Sequence, residues 1–118
     1  MKTYAFNESG RCLWKADLQI DAEDVTTVYS DFDADPNAIW YDIKHKRIER
    51  RHSFPVQIST NKIENIPVGT TLTIEGVEVL VNDGVFEIEV DMPQTVHVLL
   101  DNLRYLMTEV EVPCEVQN

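Results

Sequence analysis

Between Ile66 and Leu100, apolar and polar residues alternate in short runs. Val77, Val79 and Val81 alternate with Glu78, Leu80 and Asn82, and Phe86, Ile88 and Val90 alternate with Glu87, Glu89 and Asp91. A period of two sends successive side chains to opposite faces of a strand, so each run has one buried and one wet face. Asn82-Asp83-Gly84 stands between the runs. Asp-Gly in that setting is a strong hairpin signal, because Gly accepts the positive φ of a tight turn. The pattern predicts a central hairpin closed by a three-residue loop, with Gly84 in the left-handed region.

The same pattern extends in both directions. Residues 3–16, TYAFNESGRCLWKA, predict a hairpin, with Tyr4 and Phe6 before the turn Asn7-Glu8-Ser9-Gly10 and Cys12 and Trp14 after it. Alternate aromatics suit a pleated surface. Residues 17–24 carry a turn or a single helical turn, and strands follow at 25–29, 38–43 and around Arg47–Arg51. Beyond Pro55 the expected order is a strand at 56–59, a connection over 60–68, a strand at 70–74, the central hairpin, and strands at 95–100 and 105–112. Pro113 is expected to stop the last of these, leaving residues 114–118 as a tail.

No segment holds a helical period over the ~11 residues that would identify a helix. Six short strands within about 60 residues read as an antiparallel sandwich. The expected fold is all-β: an N-terminal β-hairpin region over 1–54, then a small immunoglobulin-like antiparallel β-sandwich over 55–118.

Length and charge narrow the function classes. A chain of 118 residues buries roughly two thirds of its unfolded surface and needs no staples. No run approaches the ~20 apolar residues of a membrane helix, so no membrane partner is expected. The opening MKTYAFNESG lacks an apolar signal region, so the expectation is a chain made and kept in the cytoplasm unless another system exports it or it leaves inside an assembly. A net charge of −11 argues against nucleic acid, whose phosphates demand clustered cations. Cys12 and Cys114 have no zinc spacing; the reading is two buried thiols, with a disulfide if the terminal strands are neighbours.

Three constellations invite chemistry. Asp31, Asp33 and Asp35, with Asp42 at the twelfth position from Asp31, resemble the spacing of a calcium loop. Pro36 stands where that loop needs Gly, and the flanks read as strands, so a solvated acidic loop is the better reading and no metal is expected. The run Lys44 to His52 holds five of the ten Lys and Arg residues, among them Arg47, Arg50 and Arg51; neutralising the chain's own acidic loops, or meeting an acidic neighbouring subunit, fits the net charge. Trp14, Trp40, Tyr41 and Tyr105 are flat rings that either fill a small core or stack on sugars. Trp14, Trp40, Tyr41, Arg47, Arg50 and Arg51 are therefore the candidate contacts to a partner or glycan. His45, His52 and His97 have no metal-ligand spacing, and no serine has a nucleophile elbow around it. No catalytic residue, cofactor or enzymatic activity is expected.

One further pattern covers about two thirds of the chain. It consists of Trp40-Tyr41-Asp42, Arg50, Ile63-x-x-Ile66-Pro67-x-Gly69-Thr70, Ile74-x-Gly76, Asn82-Asp83-Gly84-x-Phe86-Glu87, Asp91-x-Pro93-x-Thr95-Val96-x-Val98, Tyr105-Leu106 and Val110-Glu111-Val112-Pro113. It resembles small virion proteins of tailed bacteriophages and prophages that lie beside tail and tail-fibre components, and the YAFNESG hairpin is similar to openings of fibre-associated phage proteins. The resemblance rests on turns and strands, so no functional residue carries over. It implies a non-enzymatic structural protein of the tail or fibre apparatus, located in the virion and present as a symmetric homo-oligomer or in multiple copies. Its partners would be other virion proteins: tail, fibre or capsid subunits. The N-terminal half is the expected docking part and the sandwich the displayed part. The alternative is a carbohydrate-binding or adhesin-type module that recognises a host surface.

Overall fold

A central strand covered on both faces must be apolar or hydrogen-bonded at every position, and Lys2–Phe6 (β1) meets that demand. Tyr4, Ala5 and Phe6 are fully buried, as is Thr3. The computed structural model describes residues 1–116; Gln117 and Asn118, the end of the expected tail, lie outside the described residues. β1 pairs antiparallel with Cys12–Ala16 (β2) on one side and with Thr26–Ser30 (β3) on the other. Asn7 closes the first hairpin: its Oδ1 accepts from the amides of Ser9 and Arg11, both at 3.0 Å.

One face of this sheet holds Tyr4, Phe6 and Cys12, which pack with Ala34 and Ile39. On the other face the Thr3 hydroxyl donates to the carbonyl of Leu18 and accepts from the amide of Ile20. The segment after β2 thereby covers that face, with turns rather than a helical turn. A 3-10 turn at Pro36–Ala38 is the single helical element among the described residues, and Asp35 caps it. The hairpin of Ile39–Asp42 (β4) and Arg47–Arg50 (β5) follows. Residues Met1–His52 form one compact unit, and a second begins at Ser53.

The second unit contains seven strands: Gln57–Ser59 (β6), Lys62–Glu64 (β7), Thr70–Ile74 (β8), Val77–Val81 (β9), Phe86–Glu87 (β10), Gln94–Asn102 (β11) and Tyr105–Cys114 (β12). They form a three-stranded sheet ordered β10-β7-β6 and a four-stranded sheet ordered β12-β11-β8-β9. Ile63 from the first sheet, and Leu72, Val81, Val98, Leu100 and Val112 from the second, share one core with Ile66, Ile88 and Cys114. The chain is all-β, and this unit has a sandwich-like arrangement of antiparallel sheets.

Three expectations need correction here. The run after Gly84 does not fold back on β9. β9 pairs with β8 through the two-residue turn Glu75-Gly76, while Phe86 and Glu87 pair with β7 in the other sheet. Asn82-Asp83-Gly84 is a crossover between sheets, though Gly84 does take φ +82. Second, the connection expected over 60–68 contains β7, whose Ile63 is fully buried. Third, Pro113 lies within β12, opposite Thr95, and Cys114 beyond it is 2% exposed. β12 is a sheet edge, where a missing amide costs no ladder bond.

Asn61 ties the second unit together. It sits in the tight turn between β6 and β7 at φ +61 and is 2% exposed. Its Nδ2 donates to the carbonyls of Ile88 (2.9 Å) and Glu115 (2.8 Å), and its Oδ1 accepts from the amide of Glu115 at 2.9 Å. Its own amide donates to the Pro113 carbonyl, and its carbonyl accepts from the Ile88 amide. One side chain thus pairs the buried Ile88 carbonyl and the part-buried backbone of Glu115, on the chain leaving each sheet.

Candidate docking surface

Alternation along β4 separates two of the singled-out aromatics. Tyr41 lies opposite Ile48 and packs against the core, its ring 5.2 Å from that of Phe6. Trp40 points the other way, opposite Glu49, and is half-buried. A β-bridge sets Arg11 against Trp40, and the Tyr41 amide donates to the Gly10 carbonyl at 2.7 Å, which fastens the hairpin to the first turn. The outward face of β4–β5 therefore presents Arg11, Trp40, Glu49, Asp42 and Arg47. On it Arg47 pairs with Glu49, and His45 Nδ1 lies 2.7 Å from Asp42 Oδ2. The His45 contact holds the Asp42 carboxyl below the usual carboxylate range.

The six expected contact residues do not converge. Arg50 is exposed opposite Ile39, on the Tyr41 side of the hairpin. Arg51 is no surface contact: it is 8% exposed, and its Nε donates to the Ile39 carbonyl at 3.2 Å. Trp14 is half-buried opposite Ala5 on β1. Tyr105 belongs to the second unit, where it stacks on Phe54 at 5.0 Å. Tyr41 and Tyr105 each hold a ring partner within their own unit.

The carboxylates that suggested a calcium loop are each used separately. Asp33 accepts from Lys15 at 2.6 Å, Asp35 accepts from the Asn37 amide at 2.8 Å, and Asp31 lies 3.9 Å from the N-terminal amine. Among the described residues no group of three His, Cys, Asp or Glu side chains is placed to hold a metal ion. Lys2 bonds Asp17 at 2.8 Å and lies 4.0 Å from Asp33. Within this cluster the hydrogen bonds lower the pKa of Asp17 and Asp33 and raise that of Lys2 and Lys15. Cys12 and Cys114 are buried free thiols, one in the core of each unit, and burial pushes both above the ordinary thiol value.

The second unit has a different surface. From Ser53 to Asn118 there are eleven Asp and Glu residues against Lys62 and Arg104 alone, so it carries −9 of the −11 total. The register of the four-stranded sheet gathers Glu78, Glu109, Glu111 and Asp101 on its outer face, with His97 3.1 Å from Glu109. The boundary expected at residues 54/55 divides the charge in the same way, so this partition is legible in the sequence once the charges are summed by unit. No family model, curated protein or solved structure matches the chain.

Proposed function

We propose that the chain is a non-enzymatic structural protein of a bacteriophage tail or tail-fibre apparatus, a docking and display module built from two β units in series. The observation that carries the reading is that each unit has its own core while their surfaces differ: Met1–His52 bears eight of the ten cations and the Trp40 face, and the rest of the chain is strongly acidic. Unlike surfaces on separately cored units suit attachment through one unit and presentation by the other. Repetition around a symmetric particle multiplies weak contacts, so neither surface needs high affinity.

The second unit is read as an immunoglobulin-like sandwich. Taken in order, its strands give A-B-E in the three-stranded sheet and C-F-G in the other, the pairing of that fold. The fourth strand, β9, sits beside C rather than beside E. Gradient-purified particles from cells producing the chain test the functional reading. Wild-type chain is expected to co-sediment with particles, and a Trp40→Ala, Arg47→Glu variant to be depleted from them. Absence of the wild-type chain from particles overturns the reading. A glycan array that retains the wild-type chain and loses the Trp40→Ala variant would support the adhesin alternative instead.

A further inference from the structure

The four-stranded sheet has two edges of unlike character. β12 carries Pro113 and the charges Glu109 and Glu111, devices that discourage further pairing. β9, Val77-Glu78-Val79-Leu80-Val81, has none of them beyond a single Glu. It pairs with β8 at all five positions without a bulge, and its other side is the sheet edge. Val77 is 63% and Leu80 62% exposed. Beside it lies a groove of about 480 Å³ whose walls include Val79, Val81, Val85 and Phe86. Acidic side chains stand at Glu75, Glu78 and Asp83, all exposed.

We propose that the β9 edge accepts an extended segment of a partner protein as a fifth strand, and that this segment alternates apolar residues with Lys or Arg. Main-chain bonds to the edge supply affinity, and side chains at alternate positions supply specificity. The groove takes the apolar residues, and the acids pair with the cations. Charge decides the occupant. A second copy would bring another unit of −9 against this one, whereas a cationic strand is attracted. The inference goes beyond the virion reading and does not depend on it, because the edge belongs to the folded chain itself.

The test uses the full ¹⁵N-labelled chain and a synthetic seven-residue peptide of alternating lysine and valine. The expected result is saturable binding that shifts the amides of residues 77–81 and weakens roughly tenfold as salt is raised from about 0.05 to about 0.5 M. A peptide with glutamate in place of lysine should not bind. Leu80→Lys, an exposed substitution that leaves the core untouched, should abolish binding, and Glu78→Lys should weaken it. Three results overturn the proposal: no saturable binding, equal binding by Leu80→Lys, or shifts confined to other residues. Self-association of the chain through residues 77–81 that strengthens with salt would also overturn it, by making a second copy the occupant.

Discussion

Asn61 concentrates more backbone satisfaction than any other side chain described above. Asn61→Ala removes three hydrogen bonds and leaves the buried Ile88 carbonyl and the part-buried backbone of Glu115 without these partners, while Ala tolerates φ +61 poorly. Urea unfolding should show the second unit destabilised by about 3 kcal/mol. Glu75 sits at φ +49 before Gly76 at φ +81, the geometry of a type I′ turn. Glu75→Asn should therefore raise stability by about 0.5 kcal/mol. The charged cluster gives the first unit a pH dependence of known sign. Asp17, Asp33 and Asp42 are depressed in the folded chain, so their contribution is present above the ordinary carboxylate value and is lost as pH falls below about 4. Lys2 and Lys15 are raised, so theirs is full below the ordinary lysine value and is lost as pH rises through their elevated one. Asp17 and Asp33 are exposed and Lys2, Lys15 and Asp42 partly so, and a titration across the pH range followed by tryptophan fluorescence should show a modest loss of stability at each extreme, with a plateau between.

Most elements were legible as periodicity, and their partners were not. Two turn signals flank β9, Glu75-Gly76 and Asn82-Asp83-Gly84, and both contain a left-handed Gly. Alternation says only that a strand lies between them. The choice of partner is made by the core, where Leu72 pairs with Val79 in one sheet while Phe86 reaches Ile63 in the other. β7 is only Lys62-Ile63-Glu64, too short for a period to register. Pro113 ends a strand by local rule, yet it is accommodated because β12 happens to be an edge. The Trp40 face was half legible: the hairpin and its ring could be read, but the burial of Arg51 and the bridge to Arg11 depend on tertiary placement. The assigned pairing makes the two turns respond differently to length. Two residues inserted after Asp83 should cost less than about 1 kcal/mol, as a loop extension does. The same insertion after Glu75 should disturb the β8–β9 register and cost more, read by thermal melting.

At the scale of the molecule, the charge partition sets the behaviour. Both tryptophans, Trp14 and Trp40, lie in the first unit, so tryptophan fluorescence reports that unit alone, while far-ultraviolet circular dichroism reports both. Salt should stabilise the second unit by screening its self-repulsion, and should leave the first flat or slightly weaker by screening its ion pairs. A fluorescence transition that does not rise with salt, beside a dichroism transition that does, is the expected result; parallel shifts would contradict the partition. The proposed role in a particle is tested most directly by counting. Quantitative mass spectrometry of purified virions should find this chain at a fixed ratio to the major tail protein, reproducible between preparations. A chain that is absent from virions, or whose amount varies freely from one preparation to the next, would contradict the account.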